Sequence, residues 1–225
     1  MSEYQIQRSN MVGSQLRTNQ VTDHRILQAM LDIPREKFVP DDKQGLAYMD
    51  ADIMVDRDKD GADRYMMAPM IIAKLAQLAG VDDKDMVLII GCTSGYVAAL
   101  LARLADSVVC LERDERMGEA AASRLEELGC DNAATVLGSL EEGYSKEGPY
   151  DVIMFNGSVE VIPPSLFDQL KDNGRLVAVQ LADGGVGRAH LYRKIGDNIG
   201  ENRISFDASA HPLPGCKRDR SFTFR

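Results

Sequence analysis

Residues 87–102 read VLIIGCTSGYVAALLA. An aliphatic run meets Gly91-Cys92-Thr93-Ser94-Gly95, and small and aliphatic residues at helical spacing follow. The pattern predicts a strand, a tight glycine turn and a helix, the place where α/β proteins hold nucleotide-like ligands. Counted from Gly91, the Gly-x-Gly-x-x-Gly pattern of a dinucleotide turn has Thr93 as its second glycine and Tyr96 as its third. The position two before Gly91, often acidic, is Ile89, and no lysine lies between Lys84 and Lys146 to complete a phosphate loop. Both phosphate-binding readings are weak.

A ligand without phosphates fits the turn better. S-adenosyl-L-methionine needs only close backbone approach to its methionine and ribose portions, which Gly91 and Gly95 permit because they lack a Cβ. The next apolar run, SVVCLE, ends in Glu112, whose carboxylate can accept hydrogen bonds from both ribose hydroxyls. The alternative is plain: the glycines only shape a turn and Glu112 is a solvated strand end.

Outward from this turn the chain alternates. MVLII, SVVCLE, NAATVLG, YDVIMFN and GRLVAVQ read as strands, with helices over YVAALLARLA, ERMGEAAASRLEELG and PPSLFDQLK between them. Short apolar runs separated by amphipathic helices predict an α/β protein with a mostly parallel, doubly wound sheet. After Gln180, AHLYRKI, RISFDA and RSFTFR read as two or three antiparallel strands. Upstream, MVGSQLRTNQVTDHRILQAMLDIPREKFVP predicts helices, with Thr22-Asp23 capping the second and Pro34 stopping it. Residues 41–64 are acidic and without clear periodicity, and read as a loop. MMAPMIIAKLAQLAGV resumes a helix with Pro69 in its first turn and Gly80 near its end. Residues 1–80 thus form N-terminal helices and an acidic loop on a ligand-binding domain over 81–225, the two read as one compact unit.

Composition narrows the function. The 225 residues carry 26 Lys and Arg against 35 Asp and Glu, a net charge of −9, with 44% hydrophobic residues. The only basic cluster is CKRDR at 216–220, so nucleic acid is excluded as the expected partner. No run is long enough to span a membrane, and the polar start MSEYQIQRSN shows no secretory signal. Cys92, Cys110, Cys130 and Cys216 are scattered singly, with no disulfide or metal spacing, which points to reduced thiols in a cytoplasm. DRDKDGAD at 56–63 opens like a calcium loop through Asp56, Asp58 and Asp60, but its twelfth position is Met67 rather than a glutamate, and no metal is expected.

Several stretches, in order, resemble the protein-L-isoaspartate O-methyltransferase family over nearly the whole chain. They are the N-terminal helices ending in PREKFVP, VLIIGCTSGYVAALLARLADSVVCLERDERM, and GPYDVIMFNGSVEVIPPSLFDQLKDNGRLVAV. The resemblance implies a Rossmann-like, class I S-adenosylmethionine-dependent methyltransferase with antiparallel C-terminal strands and N-terminal helices. It implies protein repair: methyl transfer to a protein isoaspartyl carboxylate, or to a related peptide or small-molecule acceptor. Carried over residue by residue, it assigns Gly91, Cys92, Thr93 and Gly95 to the cofactor turn, and Glu112 and Arg113 to the ribose end. Ser139 and Leu140 fall beside the adenine, where the family usually has an acid, and Asn156 falls at the mouth of the site. The family's Thr-Ile-Ser-x-Pro stretch is here Tyr65-Met66-Met67-Ala68-Pro69, which makes Tyr65, Met66 and Met67 the acceptor-side candidates without a hydroxyl at Met67. Such altered positions leave open a second reading, a non-catalytic cofactor-binding or interaction protein of the same fold. The oligomeric state is not legible.

Overall fold

A computed structural model describes residues 2–182 and 186–216. The central sheet is built from β3 (Met86–Ile90), β4 (Ser107–Glu112), β5 (Ala133–Leu137), β6 (Tyr150–Val159), β7 (Leu170–Gln180), β8 (Arg188–Ile195) and β9 (Asn198–Asp207). The strand order is β5-β4-β3-β6-β7-β8-β9. Pairs from β5 through β7 are parallel, and β7–β8 and β8–β9 are antiparallel. Sequence order reverses between β3 and β6, and this switch point puts a crevice at the C-terminal ends of these strands.

Both faces of the sheet are covered, which is why its central strands are continuous apolar runs rather than alternating ones. Val87, Ile89, Cys110, Val152 and Met154 enter one apolar cluster, and Leu88, Ile90, Leu111, Ile153 and Phe155 enter the other. The first cluster also takes Met11, Leu16, Ile26, Leu27 and Met30 from the N-terminal segment. That segment holds α1 (Glu3–Met11) and α2 (His24–Asp32), capped by Asp23 through Arg25 N–H. α3 (Pro69–Ala79) starts with Pro69 and ends at Gly80 in the left-handed region, as both residue types favour. α4 (Tyr96–Ala102) and α5 (Glu115–Glu127) cover the β3–β5 side, and the side chain of Asp114 caps α5 through Met117 N–H.

Three expectations are corrected, and one falls outside the described residues. Helix begins at Glu3, inside the polar start, because Ser2 and Gln5 form a reciprocal capping box. Residues 41–64 are not a loop: a 3-10 segment over Asp41–Leu46 is followed by the antiparallel hairpin of β1 (Ile53–Arg57) and β2 (Asp63–Met66). The hairpin escapes a periodicity reading because its outward positions are charged and its strands are short. The helix expected over PPSLFDQLK shrinks to the single turn α6 (Ser165–Asp168), with β7 beginning at Leu170. The expected strand RSFTFR lies outside the described residues.

Gly95 also has a different neighbour from the one its place in the turn suggests. Its φ is +91°, and a Cβ there would meet Ala121 Cβ of α5 at 3.3 Å. The glycine lets α4 start against α5. Gly95→Val is therefore expected to lower stability by about 1–3 kcal/mol through overpacking, with backbone strain added. Urea denaturation checks this, and an unchanged midpoint would show that α5 yields without cost.

Candidate functional site

The turn after β3 sits at the switch point, with Gly91 at φ +84° and Thr93 at φ +58°. A β-branched residue in the left-handed region is uncommon and needs compensating bonds. Thr93 has them. Its N–H donates to Glu112 Oε2 at 2.8 Å, and its hydroxyl donates to the Gly91 carbonyl at 3.3 Å. Glu112, the last residue of β4, also accepts from the N–H groups of Arg113 (2.9 Å) and Asp114 (3.3 Å).

The largest partner of Glu112 was not anticipated. Arg64, on β2, donates Nη1 to Oε1 at 2.7 Å and Nη2 to Oε2 at 3.0 Å, a bidentate pair. Nη2 also reaches Thr93 Oγ1 at 3.3 Å. The two side chains are 1% and 0% exposed. The sequence held one signal for this: strand alternation puts Arg64 on the same face of β2 as buried Met66, and a buried cation needs a buried anion. The partner lies 48 residues away, so the match could not be read locally.

A second intruder is Leu213. The segment after β9 runs beside the end of β6 through Ser158 N–H to the His211 carbonyl (2.9 Å) and Leu213 N–H to the Ser158 carbonyl (2.9 Å). Leu213 lands between two glycines: a Cβ on Gly91 or on Gly157 would approach it to 2.8 Å. Between Arg64, Tyr65, Met67, Thr93, Asn156 and Leu213 only about 10 Å³ of cavity remains. A small-molecule site usually offers roughly 300 Å³ or more.

The other expected residues divide into groups. Cys92 is buried, and a hydrogen bond with Cys92 together with burial holds the Cys110 thiol well above its usual range, so Cys110 offers no thiolate. Met66, on the same face of β2 as Arg64, packs in the main apolar cluster and does not line the small cavity that remains. Met67 lines the crevice, and its carbonyl accepts from buried Arg35 Nη2 at 2.5 Å. Tyr65 stacks on His211 with ring centroids 3.5 Å apart. His211 Nδ1 lies 2.8 Å from Asp52 Oδ2, whose other oxygen accepts from Ala68 N–H. Asp52 and His211 are polar groups at the crevice that motif reading missed. Ser139 and Leu140 border a separate open pocket of about 420 Å³ with Lys59, Arg113, Gly138, Glu141 and Pro214. Of the calcium-like aspartates, Asp56 pairs with Arg116, while Asp58 and Asp60 both face Arg113, and Asp58 accepts from the Asp60 and Ala62 N–H groups of its own turn.

Does this residue set suit S-adenosylmethionine? Its chemistry does. The glycine turn and the strand-end carboxylate are in place, and Asn156 Oδ1 is buried without a hydrogen-bond partner while its Nδ2 donates to the Gly91 carbonyl at 2.8 Å. An orphaned buried acceptor suits a ligand that brings a donor. The space does not suit it in this arrangement, because Arg64 and Leu213 fill the crevice. Removing one member of a buried ion pair costs about 3–5 kcal/mol, since the other charge stays buried. Glu112→Ala is expected to lose that much stability in urea denaturation. A loss under about 1 kcal/mol would mean Arg64 finds solvent readily.

Comparison with known proteins follows the same lines. The family model described as protein-L-isoaspartate(D-aspartate) O-methyltransferase matches residues 7–205. A protein-L-isoaspartate O-methyltransferase of Protochlamydia amoebophila is 38% identical over 167 residues, covering 74% of this chain and 77% of its own. One from Syntrophus aciditrophicus is 35% identical over 220 residues, covering 96% and 94%. A solved protein-L-isoaspartate O-methyltransferase superposes with TM-score 0.81 at 27% identity, over 92% of this chain and 66% of that one. A Plasmodium falciparum structure described as a β-aspartate methyltransferase in complex with S-adenosyl-L-homocysteine shares the fold, with TM-score 0.75 at 19% identity, over 95% and 99%. The chain belongs to the protein-L-isoaspartate(D-aspartate) O-methyltransferase family, a family of S-adenosylmethionine-dependent methyltransferases.

Proposed function

We propose that the chain transfers the methyl group of S-adenosylmethionine to a protein carboxylate of the isoaspartyl kind, from a state in which Arg64 and Leu213 have moved aside. The observation that carries this reading is the family match over residues 7–205; Gly91 and Glu112, at the ends of the paired strands β3 and β4, are in keeping with it. When bound, the sulfonium supplies an electrophilic methyl group. An ionised carboxylate needs no base, so the chain's own work is to position the acceptor and exclude water. Gly91 and Thr93 line the cofactor side, Glu112 accepts from the ribose, and Asn156 Oδ1 accepts from a donor on the ligand. Ser139 and Leu140 border the adenine side. On the acceptor side Met67 supplies apolar surface, and His211, held by Asp52 and stacked on Tyr65, supplies a hydrogen bond that the missing hydroxyls do not. Four free, buried cysteines support a reducing compartment, hence the cytoplasm; among the described residues no helix is long and apolar enough to cross a membrane.

A second reading has one observation in its favour, the Arg64–Glu112 pair: a family member that no longer turns over and uses the fold for interaction. Methylation of an isoaspartyl peptide separates the two. The first reading expects turnover, below that of a relative with the hydroxyl stretch. Losing one hydrogen bond to the acceptor is worth about 1–3 kcal/mol, on the order of ten- to a hundredfold in rate. Met67→Ser is expected to recover part of that deficit, and His211→Ala to raise KM for the peptide. Wild-type turnover equal to that of such a relative would show Met67 to be harmless. Absent turnover with the peptide, at saturating cofactor, would favour the second reading.

A further inference from the structure

We propose that Arg64 is a built-in competitor for the cofactor, so that this one side chain determines how tightly the chain binds S-adenosylmethionine. The inference rests on the methyltransferase reading above. Its ground is that one carboxylate has two claimants. The ribose of the cofactor would use both oxygens of Glu112, and the guanidinium of Arg64 already takes both, at 2.7 and 3.0 Å. The two uses exclude each other. In a crevice closed to water, a carboxylate gains more from a cation held by two parallel hydrogen bonds than from neutral hydroxyls. The ribose therefore enters at a disadvantage that an open site would not impose.

Arg64 sits where it can leave. It belongs to a two-stranded hairpin that pairs with no strand of the main sheet. The hairpin is moored to the start of α5 by two outer ion pairs, Asp56 with Arg116 and Asp60 with Arg113, by buried Asp58 facing Arg113 at 3.8 Å, and by Lys59 N–H donating to buried Asp114 Oδ2 at 2.7 Å, while Ile53 and Met66 anchor it in the apolar cluster. The outer pairs hold weakly. Departure of Arg64 takes the countercharge from Glu112 but leaves it three backbone donors, from Thr93, Arg113 and Asp114, and the ribose hydroxyls would take the two vacated acceptor sites. Linkage then runs both ways: whatever fraction the closed hairpin subtracts from cofactor affinity, bound cofactor subtracts from hairpin closure.

The test is titration calorimetry of the full chain with S-adenosylhomocysteine, using wild type, Arg64→Gln and Leu213→Ala. It is paired with amide hydrogen exchange of residues 53–66 in the wild type, with and without that ligand. Arg64→Gln is expected to bind at least tenfold more tightly than wild type, and ligand is expected to speed exchange in the hairpin. Leu213→Ala, which keeps the ion pair, is expected to gain less than Arg64→Gln. A folded Arg64→Gln that binds no better than wild type overturns the competition and leaves the proposed function standing. So does hairpin exchange that slows or stays constant on ligand addition, which decides the matter should Arg64→Gln fail to fold. Absence of binding by every form overturns the proposed function, and the competition with it.

Discussion

Five N–H groups converge on the Glu112 carboxylate, two from the Arg64 guanidinium and three from the backbone of Thr93, Arg113 and Asp114. The rest of the crevice depends on this convergence. It holds Thr93 in a left-handed conformation that a β-branched residue would otherwise avoid. It ties the β1–β2 hairpin across the end of β4, and it fixes where the turn after β3 points. A carboxylate at 0% exposure with fewer partners would bear an uncompensated desolvation cost of several kcal/mol. The guanidinium removes that cost by supplying the countercharge as well as two donors.

Legibility in the sequence followed burial. MVLII and SVVCLE are fully buried parallel strands, so hydrophobic runs alone bounded them to the residue, at Met86–Ile90 and Ser107–Glu112. The glycine turn and the place of Glu112 at a strand end came with them. The hairpin did not, because Asp56, Arg57 and Asp63 put charge where a periodicity search looks for apolar residues. Gly95 was legible as a turn glycine, but the space it protects belongs to Ala121 of α5, a contact only the tertiary structure supplies. Leu213 as a crevice residue and Glu112 as the partner of Arg64 were not legible for the same reason. Each is ordinary locally, and each acquires its meaning from a neighbour far along the chain.

The crevice residues are not independent of one another. Tyr65 and Met67 follow Arg64 on the same short stretch, and Thr93 bonds to both Arg64 and Glu112. The carbonyl of Met67 is pinned by Arg35, whose guanidinium lies over the Tyr96 ring at 4.7 Å. Burial lowers the affinity of Arg35 for its proton, as expected for a cation with no carboxylate against it among the described contacts. A substitution at the acceptor stretch therefore moves within a backbone frame set by Arg35, while its side chain changes the crevice. That arrangement separates positioning, which the Arg35 contact with the Met67 carbonyl sets, from surface chemistry, which the Met67 thioether and the Tyr65 ring supply.

Closure of the crevice need not be strong to matter. The net worth of a buried ion pair is the difference between a large attraction and a large desolvation cost, and that difference is often small. Opening the crevice does not return Glu112 to bulk water, because the ribose would take the vacated acceptor sites. The relevant free energy is thus the exchange of one set of hydrogen bonds for another, with the charge of Arg64 released to solvent at the rim. Each 1.4 kcal/mol by which the closed form prevails lowers apparent cofactor affinity about tenfold, through the fraction of chains that are open. A difference of that size lies within reach of the outer pairs that help moor the hairpin, Asp56–Arg116 and Asp60–Arg113. Under the proposed competition, control over cofactor affinity then rests partly on the outer face of the hairpin, where ionic strength acts.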